Sequence, residues 1–582
     1  MKMILSGNEA VARGFYEAGG KFASAYPGTP STEVLENIAK YEGVIAQWAP
    51  NEKVAVEVAV GASLGGARAL AAMKHVGLNV AADPLFSLSY MGVNGGMVIL
   101  TADDPGMHSS QNEQDNRWYA RAAKIPLLEP SDSQEARDLT IQAFEISESF
   151  DTPVLLRTTT RISHSKSVVT VGERLDVPLK PYRKELLKNV LLPSTGRLRH
   201  PFVENRLKKL RAFSTVSGLN WVDWGDRSLG IVTSGVAYQY AREVFPHASY
   251  LKLSLTYPLP EKLIRDFAER VGKLVVIEEL DDFLELHIRA LGVTVTGKEK
   301  IPAIGELNPD VVSRALLNRE GASAELQGEP LPARPPVLCP GCSHRGVFWA
   351  LKKLRATVTG DIGCYTLAAL PPLESMDSCL NMGASVGMAE GMVKVNPEKF
   401  QKRVVGIIGD STFIHSGITP LIDMVYNKGI TTVIILDNRI TAMTGHQENP
   451  ASGVTLRGEP THRLDLQKLC EAVGIPRVRK IDPYSLKEMT EVIREEMRTE
   501  EPSVLIAEAP CVLHERSQLG PVYYVDQEKC VACDLCYKIG CPAITPGPDG
   551  KKPVIDPLLC IGCDQCAQVC QLGAILPQEN GK

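Results

Sequence analysis

The sequence predicts an α/β protein of several layered domains that ends in a short cysteine-rich module. Three observations predict it. Apolar runs closed by Gly or Pro turns, such as GGMVILTADDPG and RVVGIIGD, alternate with helical stretches, as parallel strands buried between helices do. The 582 residues leave room for about four domains at roughly 150 residues each. Eight of the 14 cysteines fall between Cys530 and Cys570. Hydrophobic residues at 44% and charged residues at 23% suit a globular chain that buries its own cores.

Charge and hydropathy narrow the function classes. Lys and Arg number 63 against 68 Asp and Glu, a net charge of -5, whereas a nucleic-acid binder carries a basic excess. No apolar run reaches the ~18 residues of a membrane span. The apolar stretch ahead of Asn8 and Glu9 is too short for a signal core, so a cytoplasmic location is expected.

The elements follow in order. In residues 1–190, FASAYPGTPS reads as a strand entering a turn, NEKVAVEVAVGASLGGARALAAMK as one long Ala-rich amphipathic stretch, and TPVLLRTTTR as a buried strand. Residues 181–225 are basic and poorly periodic, which reads as a solvated linker. LGIVTSG and KLVVIEEL restore the α/β pattern, so residues 191–320 are taken as linker plus a small α/β domain. The Pro-rich EGASAELQGEPLPARPP marks a boundary. A further α/β domain at 335–518 has the strands RVVGIIGD, TTVIILDN and PSVLIAEAP, and 520–582 is the cysteine-rich module.

That module contains two runs, Cys530-x2-Cys533-x2-Cys536-x4-Cys541 and Cys560-x2-Cys563-x2-Cys566-x3-Cys570. Closely spaced thiols in a large cytosolic chain point to metal rather than disulfides. Short spacings let a curling loop aim three thiolates at one cubane, and in two-cluster ferredoxins the fourth Cys of each run serves the other cluster. This assigns Cys530, Cys533, Cys536 and Cys570 to one [4Fe–4S] cluster, and Cys541, Cys560, Cys563 and Cys566 to the other. Structural zinc also takes four thiolates, but two interleaved runs favour clusters. The first run departs from the usual pattern in its x4 gap, and the second is followed by Gln571 instead of Pro.

A second constellation lies in the 335–518 domain. Gly409-Asp410-Ser411 closes one predicted strand and Asn438 the next, after 26 intervening residues. A strand–helix–strand unit of that length brings both to the carboxyl edge of a parallel sheet, where ligands bind. A carboxylate, an amide oxygen and a nearby carbonyl, completed by phosphate oxygens and water, make a hard octahedral Mg²⁺ site. Ser411 and Thr412 would open a helix, with N–H groups facing a diphosphate.

This GDS…N pattern resembles the thiamine-diphosphate motif in the pyrophosphate domain of thiamine enzymes. The resemblance implies that Asp410, Asn438 and the carbonyl of Ile440 bind Mg²⁺, with Gly409, Ser411 and Thr412 about the diphosphate. Met382, 28 residues before Asp410, matches the bulky side chain that bends the cofactor so that its amino group reaches C2. Glu52, at the head of NEKVAVEVAVGAS, resembles the Glu that hydrogen-bonds the aminopyrimidine N1′ in a thiamine pyrimidine domain.

Over nearly its full length the chain resembles the 2-oxoacid:ferredoxin oxidoreductase family, and within it the large (alpha) subunit of the indolepyruvate type. YPGTPSTEV, LCPGCSHRGVF, GDIGCYTL, GDSTFIHSGI and MTGHQ carry the resemblance. It implies a pyrimidine domain, a transketolase C-terminal-like α/β domain, a pyrophosphate domain and a two-cluster ferredoxin-like domain. Thr29 matches a Thr near the substrate carboxylate. Ile362, Gly363, Cys364 and Tyr365 match a loop touching the cofactor, and Ala442 and Met443 match backbone beside the diphosphate. Cys339, Cys342, Cys364 and Cys511 match the ligands of a proximal cluster, so a third [4Fe–4S] group is left open. His344, His415 and His446 receive no role.

The implied reaction is anaerobic oxidative decarboxylation of an aryl 2-oxo acid with coenzyme A. It gives an arylacetyl-CoA, CO2 and reduced ferredoxin. Its implied partners are a smaller beta subunit, in a dimer of heterodimers, and a ferredoxin. The segment DIGCYTLAALPP has no Lys, Arg or His to pair with a second substrate carboxylate, consistent with an aromatic substrate. Two alternatives stay open: another 2-oxo acid, pyruvate or branched-chain, and an electron-transfer subunit with a vestigial thiamine fold.

Overall fold

The computed structural model describes residues 1–319, 335–515, 519–548 and 550–578. Most of EGASAELQGEPLPARPP, the expected boundary, lies outside them. The chain divides into two compact units, 1–328 and 329–582.

The first unit is built on a seven-stranded sheet. Its order is Leu255–Tyr257, Leu127–Leu128, Val154–Thr159, Met97–Asp103, Ala69–Lys74, Phe22–Ala25, Ile45–Trp48. All neighbours are parallel except the first pair. Met97–Asp103 and Val154–Thr159 are buried at every residue, apolar in their first halves and carrying buried polar side chains toward their carboxyl ends. A second sheet, in the order Lys273–Ile277, Asp226–Ser234, Ala248–Leu253, Trp221–Asp223, forms the smaller α/β layer. Because Leu255–Tyr257 leaves that layer to pair with Leu127–Leu128, the two layers share a sheet edge. Buried charge ties them further: Arg117 pairs with both Asp115 and Glu278.

Two local expectations are corrected here. The Ala-rich stretch is not one element: a helix, Glu52–Leu64, ends at Gly65, and ALAAMK is the interior strand Ala69–Lys74. Ala favours helix when exposed, but a chain flanked by strands on both edges is held in the sheet by its ladder. Nor is 181–225 simply a solvated linker. It contains the helix Pro193–Val216, with Val203, Leu207, Leu210 and Ser214 buried along one face and Arg206 beside them. The Arg206 guanidinium donates to Ser89 O and Asp151 O, each at 2.8 Å, so a basic residue here faces inward.

The second unit has a six-stranded, all-parallel sheet in the order Ser378–Cys379, Thr357–Gly360, Val404–Gly409, Thr432–Asp437, Ser503–Glu508, Arg477–Ile481. Val405, Ile407, Ile434 and Leu505 pack on Val347 and Phe348 on one face. Ile408, Val433 and Val504 pack on Phe413 and Leu421 on the other. The cysteine-rich segment adds two antiparallel pairs, Tyr523–Val525 with Ile575–Pro577 and Ile544–Pro546 with Pro553–Ile555. The fully buried Arg345 joins it to the sheet domain, donating to Ile539 O at 3.0 Å and to Leu338 O and Cys339 O, each at 2.8 Å.

Candidate functional site

Asp410 and Asn438 leave the carboxyl ends of the adjacent strands Val404–Gly409 and Thr432–Asp437. Both are buried. The Asn438 amide end lies 3.2 Å from Asp410 Oδ1 and 2.8 Å from Ile440 O, both acceptors. Either its nitrogen turns inward and donates to both, or its oxygen joins them in an all-oxygen cage, which repels itself unless a cation fills it. Hard oxygen donors of this kind fit Mg²⁺. Asp410 Oδ2 accepts from Asn449 Nδ2 at 3.2 Å, which leaves Oδ1 for the cage. Burial, and after it the neighbouring Asp437 carboxylate, pushes Asp410 up to about 8. A divalent ion in the cage would reverse that by favouring the charged form.

The surrounding backbone is cut to fit. Gly409 lies against the Tyr365 ring, where a Cβ would come 2.8 Å from Cε1. Thr412 Oγ1 donates to Ile362 O at 3.0 Å, and Thr441 Oγ1 donates to Ser411 Oγ at 2.9 Å. Gly383, at φ +89°, turns the chain from half-buried Met382 into the helix Ala384–Val395, and a Cβ there would strike Ser416. The Asp361 carboxylate holds this turn, accepting from Gly383 N at 2.9 Å and Ser385 N at 3.3 Å. Burial raises Asp361 to about 6 against those hydrogen bonds. Ala442 and Met443 lie in the loop after Ile440, Met443 about half exposed.

The thiols fall into three groups within the same unit. Cys530, Cys533, Cys536 and Cys570 line one cavity of about 200 Å³ with Val525, Leu535 and Ile575. Cys541, Cys560 and Cys563 are electrostatic neighbours of Cys566, which burial, and then they, hold above the usual thiol range. Cys364 senses Cys511 and Cys339, and Cys342 senses Cys339 and Cys364, so these four also cluster. Burial pushes Cys342 to about 12 and Cys364 to about 11, which bound iron would oppose by stabilising thiolates. Among the described residues no three His, Cys, Asp or Glu side chains stand close enough to share one metal ion. A cubane, with an iron at each thiolate, sets its sulfurs farther apart than zinc does. The third group adjoins the second: a Cβ on Gly341 would lie 3.7 Å from Cys563 Cβ. Cys379 is exposed and Cys470 sits in the apolar core, apart from all three groups.

In the first unit, Glu52 begins the helix Glu52–Leu64, whose N-cap Asn51 accepts from Val54 N at 2.9 Å. The buried Glu52 side chain lies on Gly77, where a Cβ would come 2.6 Å from its Oε1. Half-buried Thr29 sits near Lys74, at the end of the strand Ala69–Lys74. Ser109 links the two, donating through Oγ to Thr29 O at 3.2 Å and accepting at O from Lys74 Nζ at 2.6 Å. Burial draws Lys74 down to about 8.

Family models match three stretches: pyruvate flavodoxin/ferredoxin oxidoreductase, thiamine-diphosphate binding, over 13–196; thiamine pyrophosphate enzyme, C-terminal TPP-binding domain, over 361–507; and a 4Fe-4S binding domain over 553–576. The indolepyruvate oxidoreductase subunit IorA of Archaeoglobus fulgidus is 41% identical over all of this chain and 98% of its own length. IorA of Methanothermobacter thermautotrophicus is also 41% identical, with the same coverage. The chain belongs to the IorA family of 2-oxoacid:ferredoxin oxidoreductases. A solved 2-oxoglutarate:ferredoxin oxidoreductase from Magnetococcus marinus aligns at TM-score 0.46 and 18% identity, over 55% of this chain and 65% of that one.

This oxidoreductase is thiamine-diphosphate-dependent and transfers electrons through iron–sulfur centres. Three of its site residues escaped the sequence reading. Asp361 had a detectable signal, since like Asp410 it is an acid just past the end of a sheet strand. Asn449 had none, because no spacing rule links it to Asp410. Arg345 lies inside the quoted CPGCSHRG, but its four carbonyl partners are visible only in three dimensions. Burial pulls His344 down to about 4, His415 Nδ1 is 2.5 Å from Ser416 Oγ, and His446 stacks on His514. Among the described residues no helix is long and apolar enough to cross a membrane.

Proposed function

We propose that this chain performs oxidative decarboxylation of aryl 2-oxo acids of the indolepyruvate type with coenzyme A, yielding an arylacetyl-CoA, CO2 and reduced ferredoxin. The observation that carries the thiamine part is the convergence of the Asp410 carboxylate, the Asn438 amide and the Ile440 carbonyl at one strand edge. The full-length likeness to proteins named for indolepyruvate supports the substrate. Bound thiamine diphosphate supplies the nucleophile and electron sink that let CO2 leave.

The chain's own residues do the rest. Asp410, Asn438 and Ile440 O would hold Mg²⁺. Gly409, Ser411 and Thr412, with the 362–365 loop, Ala442 and Met443, bound the diphosphate, and Met382 props the cofactor. Glu52 holds a proton at the aminopyrimidine N1′, and Thr29 orients the substrate carboxylate. The group of Cys339, Cys342, Cys364 and Cys511 would receive electrons first. The group of Cys541, Cys560, Cys563 and Cys566 and that of Cys530, Cys533, Cys536 and Cys570 would hold clusters able to carry those electrons onward. A smaller beta subunit in a cytoplasmic dimer of heterodimers completes the enzyme. The test is kcat/KM of the co-expressed pair, under anaerobic conditions, for indolepyruvate, phenylpyruvate, pyruvate and 2-oxoglutarate. The aryl acids are expected to lead, and an advantage for pyruvate or 2-oxoglutarate would overturn the substrate while sparing the chemistry.

A further inference from the structure

In the second unit a cavity of about 740 Å³ opens between the helices His344–Leu354 and Leu486–Glu496 and the cysteine-rich segment. Its lining carries Lys352, Lys353, Lys487, Arg494 and Lys538 against a single carboxylate, Glu491. Five cations and one anion make the groove locally +4 on a chain whose net charge is -5. Lys352 is committed, donating to Pro372 O at 2.7 Å and facing Glu374 at 3.4 Å. The other four cations are exposed and make no ion pair among the described residues. The sheet domain's core does not need this charge, because both helices bury their opposite, apolar faces.

The groove also abuts a thiol cavity. Leu535 and Gln571 line both it and the pocket enclosed by Cys530, Cys533, Cys536 and Cys570. That pocket reaches the surface, with Cys533 and Val531 exposed at its rim. A concentrated, solvated positive field at the edge of a redox centre accelerates encounter with a negatively charged macromolecule without holding it long. Transient electron-transfer contacts are of this kind, small and electrostatic.

We propose that this groove is the docking surface for a small acidic one-electron carrier protein of the ferredoxin kind. The proposal rests on the reading that Cys530, Cys533, Cys536 and Cys570 hold a cluster. Each docking event moves one electron: the cluster is oxidised, the carrier is reduced, and no proton or bond changes place.

The test uses the complete enzyme with its smaller subunit and the triple reversal Lys353→Glu, Lys487→Glu, Arg494→Glu. Two acceptors are compared, an acidic ferredoxin and the small dye methyl viologen. The KM for ferredoxin is expected to rise about tenfold or more and the salt dependence of its reduction to flatten, while dye reduction stays unchanged. Unchanged ferredoxin kinetics beside intact dye reduction would overturn the proposal. So would release of the smaller subunit from the variant, which would make the groove that subunit's seat. The single changes Lys487→Gln and Arg494→Gln guard against misfolding. Each should raise the ferredoxin KM about twofold to threefold, and no rise in either overturns the proposal. Absence of dye reduction in the unaltered enzyme would instead count against the underlying redox reading.

Discussion

Asp410 and Asn438 leave the ends of two wholly buried parallel strands, whereas seven of the eight C-terminal thiols sit on loops, with Cys566 in the short helix Gln565–Val569, in a segment whose four strands have three residues each. The sheet around Asp410 has apolar cores on both faces. The cysteine-rich segment's core is Val525, Ile539, Ile544, Val569 and Ile575, with Leu486 borrowed from the sheet domain and the thiols themselves packed in. The first region is therefore expected to fold without its ligand and to present a finished edge to it. The second lacks apolar material enough for independence, as small metal-bearing segments do, and draws stability from what its thiols bind.

The comparison breaks most visibly if iron is removed. Chelation under anaerobic conditions should abolish protection from hydrogen exchange across residues 519–578 while leaving the strands Val404–Gly409 and Thr432–Asp437 protected. Equal protection in both regions with iron gone would erase the contrast. An iron count on the intact chain sharpens it, about 12 per chain if all three thiol groups are filled and about 8 if only the C-terminal pair is.

Glu52→Gln should retain thiamine diphosphate and lose nearly all turnover, because Glu52 is assigned to N1′ and not to holding the cofactor. A fall of less than about tenfold, ~1.4 kcal/mol of barrier, would remove it from that role. Asn449→Ala should weaken Mg²⁺ binding by roughly tenfold or less, the loss of one hydrogen bond to a buried charged oxygen being worth about 1.5–3 kcal/mol before water compensates. Titration of the apo-enzyme with Mg²⁺ in the presence of thiamine diphosphate reads this directly.

The smallest effect is one of pH. Burial would raise Glu508, but Lys480, Arg463 and Arg439 outweigh it and hold the carboxyl down at about 2. A depressed folded-state pKa stabilises above the unfolded value, near 4.5, and that stability is lost as pH falls toward 2. Glu508→Gln should therefore cost stability at pH 7 and little at pH 2, seen as converging urea midpoints. Because Glu508 is partly exposed, the gap should be modest.

The same contrast governs what could be read from the sequence. Cysteine function is written locally: short spacings aim three thiols at one cluster, and the thiols of Cys530, Cys533, Cys536 and Cys570 do share a cavity. The strand-end pair Asp410 and Asn438 was legible because a strand–helix–strand unit has a set length. Asn449 and Arg345 act through contacts across loops, and no sequence period encodes them. The helix Pro193–Val216 was hidden by its charge. Its apolar face at Val203, Leu207, Leu210 and Ser214 has helical spacing, but Arg206 buried between them and Pro201 within it break the pattern. The pairing of Leu255–Tyr257 with Leu127–Leu128 joins segments more than a hundred residues apart and had no local signal.

On this reading the cofactor edge and the iron-bearing segment are separate structures serving one reaction. The most direct measurement is Asp410→Ala in the complete enzyme, assayed for thiamine diphosphate, Mg²⁺ and iron in one preparation. The account predicts that thiamine diphosphate and Mg²⁺ are lost, iron stays at the level of the unaltered enzyme, and turnover disappears. Retention of thiamine diphosphate, or loss of iron along with it, would contradict the account.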